Sequence, residues 1–231
     1  MLAATVATLA PNANPDRAAG AFRYMQGIAP FLGISAPDRR RLLSEAWLGL
    51  ARPSSDQLGK AALALMRQPE REYHYAAYDL VERFQAVADE HFLTTYGAAL
   101  ITTTPWWDSV DGFVSAMVSP LMRRFHNDAL MDAWSSSENR WLIRAAIGHQ
   151  RGWKGDTNVA RVLQLCDEHW AAREFFIAKA IGWAMRDIAR IEPQAIRAFL
   201  NSHDTLNRVA IREAERGLGI RRPLSSENSA S

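Results

Sequence analysis

Pro105-Trp106-Trp107-Asp108-Ser109-Val110-Asp111 sets two adjacent tryptophans one helical turn ahead of a carboxylate. At ~100° per residue, positions i and i+4 nearly align, so a helix here puts Trp107 and Asp111 on one face. A wide aromatic surface beside a negative charge is poor material for a core. It suits a cationic or sugar-like ligand.

Working outward, aromatic residues recur at a fixed interval: Tyr73, Trp107, Trp141 and Phe175 are each 34 residues apart, and the next step lands on Val209. Such a period marks an array of helical repeats. With the aromatic position as zero, position +2 reads Tyr75, Ser109, Ile143, Ile177 and Ile211, and position +5 reads Tyr78, Gly112, Ala146, Ala180 and Ala214. Position +6 reads Asp79, Phe113, Ile147, Ile181 and Glu215. These three positions cluster on one side of a helix and are expected to be buried. The opposite side carries Trp107, Asp111, Arg144, Lys179, Trp183, Arg186, Arg212 and Arg216, and in a solenoid that side lines a shared concave surface. Trp107, Asp111, Arg144 and Trp183 are therefore expected in one cleft.

Composition narrows the class. The 231 residues are 48% apolar, with 10 prolines, enough for one sizeable solenoid or one compact globule. The formal net charge of +2 conceals a division: residues 1–139 have a balance of −3, and residues 140–222 of +6. Positive charge is thus concentrated in the C-terminal repeats. Arginine supplies 24 of the 27 basic residues, which favours planar, bidentate contacts with phosphate, although compositional bias in a genome produces the same skew. The single cysteine, Cys166, rules out an intramolecular disulfide and a multi-cysteine metal cage, and reads as a small buried apolar residue. Met1 to Ala10 is short, lacks Lys and Arg, and runs into a Pro/Asn segment, so it reads as a first helix rather than a signal peptide. No run reaches the ~18 apolar residues of a membrane span, and a reducing, cytoplasmic setting is expected.

Helices are expected over 16–29, from the Ser35 cap onward, over 57–66, 90–103, 113–125, 140–150, 159–169 and 175–190, from Pro193, and over 207–217. One domain over 1–222 is expected, and a Ser/Asn-rich tail over 223–231 reads as disordered. Strand alternation, a phosphate-binding glycine loop, zinc-like spacing and heptads are all lacking from the sequence. His74 reads as a helix-surface or core-edge residue, with no Ser or Cys nucleophile signature near it.

Five fragments in order carry a resemblance. They are Phe31-Leu32-Gly33-Ile34 with Arg39-Arg40; Pro69-Glu70-Arg71-Glu72; Trp106 to Asp111; Trp141-Leu142 with Arg144-Ala145-Ala146; and Lys179-Ala180-Ile181-Gly182-Trp183. Together they resemble the AlkD-like bacterial alkylpurine DNA glycosylases over roughly residues 10–220. The resemblance implies an all-α, right-handed superhelical solenoid of about six HEAT-like repeats with a basic concave face that clasps duplex DNA. It implies hydrolysis of the N-glycosidic bond of N3- or N7-alkylated purines without a base-flipping pocket, by a monomer, with neither cofactor nor metal. A bacterial cytoplasmic protein, nucleoid-associated when bound to DNA, follows from the same resemblance.

By the same resemblance, Asp111 matches the catalytic carboxylate, Trp107 and Trp183 the two active-site tryptophans, Arg144 a DNA-contacting arginine and Tyr24 a tyrosine lining the cleft. Lys179, Arg186, Arg212 and Arg216 are candidate phosphate contacts as a group. Repeat equivalents of Asp111 are Ala77, Ala145, Lys179 and Glu213, and those of Trp183 include Ser115 and His149. No packing rule therefore demands an acid or a tryptophan at these places. Trp107, by contrast, also fits a plain apolar repeat residue equivalent to Trp141. A DNA-binding repeat protein without chemistry and a protein-interaction adaptor are the competing classes. Weak salt dependence of binding would mark the adaptor.

Overall fold

A computed structural model describes residues 1–203 and 207–220 of the chain, and the expected tail lies outside the described residues. Every regular element among them is helical. The chain divides into two compact units, Met1–His149 and Gln150–Ser231. No helix among the described residues is long and apolar enough to cross a membrane.

The first unit contains α1 (Leu2–Leu9), α2 (Pro15–Tyr24), α3 (Ala36–Ala46), α4 (Ser55–Met66), α5 (Arg71–Arg83), α6 (Ala98–Thr102), α7 (Trp107–Phe113), α8 (Ser119–Phe125), α9 (Asp128–Ser135) and α10 (Arg140–Ile147). Local chemistry starts and stops them where side chains can absorb the orphan amides. Asn14 accepts from the amide of Arg17, Ser35 from that of Asp38, Ser54 from that of Gln57 in a capping box, and Asn139 from that of Trp141. The helix expected to run to Ala29 stops at Tyr24 because Gln26 and Gly27 turn to φ 58° and 72°. Helices α3, α5, α7 and α10 pack in succession, α4 covers α5, and α9 covers α10.

A π-helical segment, Val114–Val118, joins α7 to α8. Pro120 follows it and has no amide hydrogen, so the carbonyl of Ala116 loses its usual intrahelical donor. The side chain of Gln85 supplies one at 2.9 Å. A second π-helical segment, Leu93–Gly97, leads into α6, where a plain helix over 90–103 was expected.

Two of the resemblance fragments bind each other. Glu72 accepts backbone hydrogen bonds from Leu32 (2.8 Å), Gly33 (2.8 Å) and Ile34 (3.1 Å), tying the start of α5 to the loop before α3. Their role is architectural.

The second unit contains α11 (Val159–Glu168), α12 (Phe175–Ile188), α13 (Pro193–Ser202) and α14 (Arg208–Gly217). Helices α12 and α14 pack closely because small residues line their contact. A Cβ on Gly182 would lie 2.8 Å from Cβ of Glu213, and one on Gly217 would lie 2.8 Å from Cβ of Ala189. Cys166 is fully buried in α11, and burial pushes its thiol up, which fits an apolar packing role.

Burial refines the two-sided picture of the repeat helix. Of the expected inner positions, Ile143, Ala146, Ile147, Ile177, Ala180 and Ile181 are buried, whereas Tyr75, Tyr78, Gly112, Ile211 and Glu215 are only partly so. The expected open side is not uniformly open. Ala76, Ala77 and Leu80 of α5, and Arg144 and Ala145 of α10, are buried too, since α5 is enclosed by α3, α4 and α7 and α10 packs against α6, α7 and α9. The open side of α14 is mixed as well, with Arg212 and Arg216 exposed and Glu213 between them buried.

Candidate functional site

Helix α7 begins at Trp107 after a sharp entry. Thr104 sits at φ 46° ahead of Pro105, and Ser109 Oγ donates to the carbonyl of Trp106 at 3.2 Å. Asp108 lies in the first turn, where the helix dipole favours a negative charge. Asp111 follows one turn after Trp107, as the spacing predicted.

Each carboxylate is gripped by an arginine from a different neighbouring helix. Arg144 of α10 donates from Nε and Nη2 to the two oxygens of Asp111, both at 2.8 Å. The Arg144 side chain is 3% exposed and that of Asp111 16%, so the guanidinium is placed to orient the carboxylate rather than to reach outward. A bidentate fork fixes both the position and the plane of the acid. Trp107 is partly exposed, whereas Trp106 stands against Trp141 with ring centroids 6.0 Å apart.

Arg71 of α5 is fully buried and commits all five of its donors. Nε and Nη2 hold the two oxygens of Asp108, Nη2 also donates to Ser109 Oγ at 2.8 Å, and Nη1 donates to the carbonyl of Thr104 (2.9 Å) and to His74 Nδ1 (3.0 Å). His74 Nε2 faces the carbonyl of Gln68 at 2.7 Å, which can only accept, so Nε2 carries the proton and Nδ1 accepts from Arg71. Burial, with the neighbouring Arg71 charge, holds His74 below the usual histidine range and keeps it neutral. The histidine is a fully buried structural link rather than the surface or core-edge residue expected.

Tyr75 donates its hydroxyl to Asp108. Its ring lies 4.9 Å from the Arg39 guanidinium and 5.8 Å from that of Arg71. Burial and the adjacent Asp108 charge push this phenol up, so it stays a donor. Arg39 also donates to Asp79 at 3.0 Å and to Tyr78 at 3.3 Å. Gly112 makes room for Tyr78, since a Cβ there would lie 2.4 Å from its ring.

Sequence reasoning missed the Arg71–Asp108–Tyr75–His74 network. A signal existed: Arg71 and Asp108 are 37 residues apart, close to the repeat interval, as are Arg39 and Asp79 at 40. Charged pairs near one period apart link successive inner helices.

The second unit holds the other expected residues. The Trp183 ring lies 5.2 Å from the Arg151 guanidinium and 5.9 Å from that of Arg186. Lys179 Nζ, Arg186 Nη1 and Arg216 Nη1 converge on the buried carboxylate of Glu213 at 2.9, 3.0 and 3.0 Å. Burial by itself would raise the Glu213 carboxyl, but the Lys179 hydrogen bond and the three surrounding charges outweigh it and hold it below the usual range. Arg212 is exposed beside this group. In the first unit Tyr24, at the end of α2, is exposed.

No curated protein matches this chain. A solved structure, a "predicted DNA alkylation repair enzyme" from Enterococcus faecalis, matches with a TM-score of 0.81 at 27% sequence identity, covering 88% of this chain and 95% of that one. The description of the DNA alkylation repair enzyme family matches residues 5–218. With nearly its whole length accounted for, the chain belongs to the family of DNA alkylation repair enzymes.

Proposed function

We propose that this protein is an alkylpurine DNA glycosylase that hydrolyses the N-glycosidic bond of cationic N3- or N7-alkylated purines in duplex DNA. The observation that carries this reading is Asp111, a carboxylate held bidentately by a buried arginine one helical turn from a partly exposed tryptophan. The family supplies the setting, and the geometry suggests the chemistry.

An N3- or N7-alkylated purine already carries positive charge and is a competent leaving group, so no general acid is needed. As the C1′–N bond breaks, its electron pair neutralises the purine and positive charge builds on the deoxyribose. A fixed carboxylate stabilises that oxocarbenium-like state and orients the attacking water, whose proton is released once oxygen bonds to C1′. Arg144 prevents the carboxylate from rotating away, so less reorganisation is required in the transition state. The indole face of Trp107, one turn from Asp111 on the same helix, favours the same positive charge by cation–π attraction. Tyr24, Lys179, Arg186, Arg212 and Arg216 serve as contacts to the DNA backbone, and on its burial Arg144 serves chiefly to hold Asp111.

The test is single-turnover release of 7-methylguanine from methylated duplex DNA by the native protein and by Asp111→Asn. Release that falls about a hundredfold in the variant supports the reading. Equal release by both removes Asp111 from the mechanism. Salt-sensitive duplex binding with no release by either leaves a DNA-binding protein without this chemistry.

A further inference from the structure

Glu213 is 4% exposed, yet three cations converge on it. Lys179 and Arg186 come from α12 and are 30% exposed, and Arg216, one turn along α14, is 67% exposed. Lys179 and Arg216 share Oε1 while Arg186 takes Oε2, so both oxygens are used and the group keeps a charge of two positives in excess. The cations are not used up. Lys179 retains two of its three donors and Arg216 most of its fork. The carboxylate reaches this spot because Gly182 lets α14 approach α12 to the point where a Cβ would collide with Glu213.

We propose that Glu213 is a positioning residue for binding the phosphodiester backbone of duplex DNA, holding Lys179, Arg186 and Arg216 as one preformed anion-binding group. This rests on the duplex-DNA reading above. Three like charges on one face repel each other and, left alone, spread over many rotamers. A central carboxylate removes most of that repulsion and fixes the side chains beforehand, so binding a phosphate orders less. Because Glu213 is buried beneath them, it does not itself confront the phosphate.

Positioning by Glu213 and net charge pull DNA affinity in opposite directions. Replacing Glu213 by Gln adds a positive charge to the surface, which by charge alone tightens DNA binding and steepens its salt dependence. Positioning predicts the reverse. Affinity of the full-length protein for an unmodified mixed-sequence duplex, read by fluorescence anisotropy between about 50 and 200 mM salt, is expected to fall about three- to tenfold in Glu213→Gln, with a shallower slope. Glu213→Asp keeps the charge but is one methylene shorter, and it too is expected to bind more weakly. Tighter or unchanged binding by these variants, with native binding intact, overturns the proposal alone. Absence of salt-sensitive duplex binding by the native protein overturns the DNA reading together with it. Should substitution at this buried site unfold the protein, Lys179→Gln and Arg216→Gln are compared singly and combined. A preformed group loses less in the double variant than the sum of the singles, whereas strict additivity overturns the proposal.

Discussion

Asp111 and Glu213 occupy the same position of the repeat, fourth after the recurring aromatic, and both are carboxylates, yet their surroundings differ. Asp111 faces a bidentate guanidinium from the next inner helix, α10, and the pair is neutral. Glu213 faces three cations, two from α12 and one from its own helix, and the group is positive. The first arrangement fixes the geometry of an acid; the second fixes the geometry of bases around an acid. One repeat position therefore serves two purposes, decided by how many cations the neighbouring helices bring and how exposed those cations are.

Removing a partner from each carboxylate separates the two arrangements most strongly. Arg144→Met takes the fork from Asp111 and leaves a mostly buried charge, so a loss of about 3–5 kcal/mol is expected in urea unfolding. Asp111→Asn comes next. Its expected hundredfold loss in base release corresponds to about 2.7 kcal/mol, with duplex affinity changed little, whereas the Glu213 variants reverse that pattern.

Acid separates the histidine-linked network from Glu213. His74 is held neutral in the fold with its affinity for a proton lowered, so the unfolded chain takes up that proton first. Stability should begin to fall as pH drops below about 6.5, no more steeply than ~1.4 kcal/mol per pH unit for one proton. A His74→Gln variant, followed by thermal unfolding from pH 7.5 to 5.5, should lose that slope. Glu213, whose folded-state proton affinity is also lowered, contributes stability present above the ordinary carboxylate range and lost on acidification through its lower folded value. The smallest effect is expected for Lys179→Met, about 1 kcal/mol or less in the same urea assay, because Arg186 and Arg216 still hold Glu213 and the lysine is partly solvated. If Lys179→Met costs as much as Arg144→Met, the two carboxylates are not held differently.

Much of this was legible in the chain. The 34-residue spacing of Tyr73, Trp107, Trp141 and Phe175 indicated repeats, and small and apolar residues such as Ala146, Ala180, Ile147 and Ile181 at recurring positions indicated which sides are buried. The recurring aromatic itself proved a poor guide to environment, since Tyr73 and Trp141 are buried and Phe175 is exposed. A period records where a residue stands on its own helix and carries no information on how many neighbours enclose that helix. For the same reason the open side of α5 could not be recognised as closed.

The chain alone sufficed for the all-helical class, for a helix start such as the one at Ser35, and for placing Trp107 and Asp111 one turn apart, because each depends on contacts within a turn or two. Only the tertiary structure decided that Arg144 grips Asp111, that Arg71 rather than a surface residue holds Asp108, and that Glu213 gathers three cations. Most of these contacts join residues 27 to 37 positions apart. They form only when helix packing sets one repeat's charges opposite the next, and small residues such as Gly182 govern that approach by what they leave out.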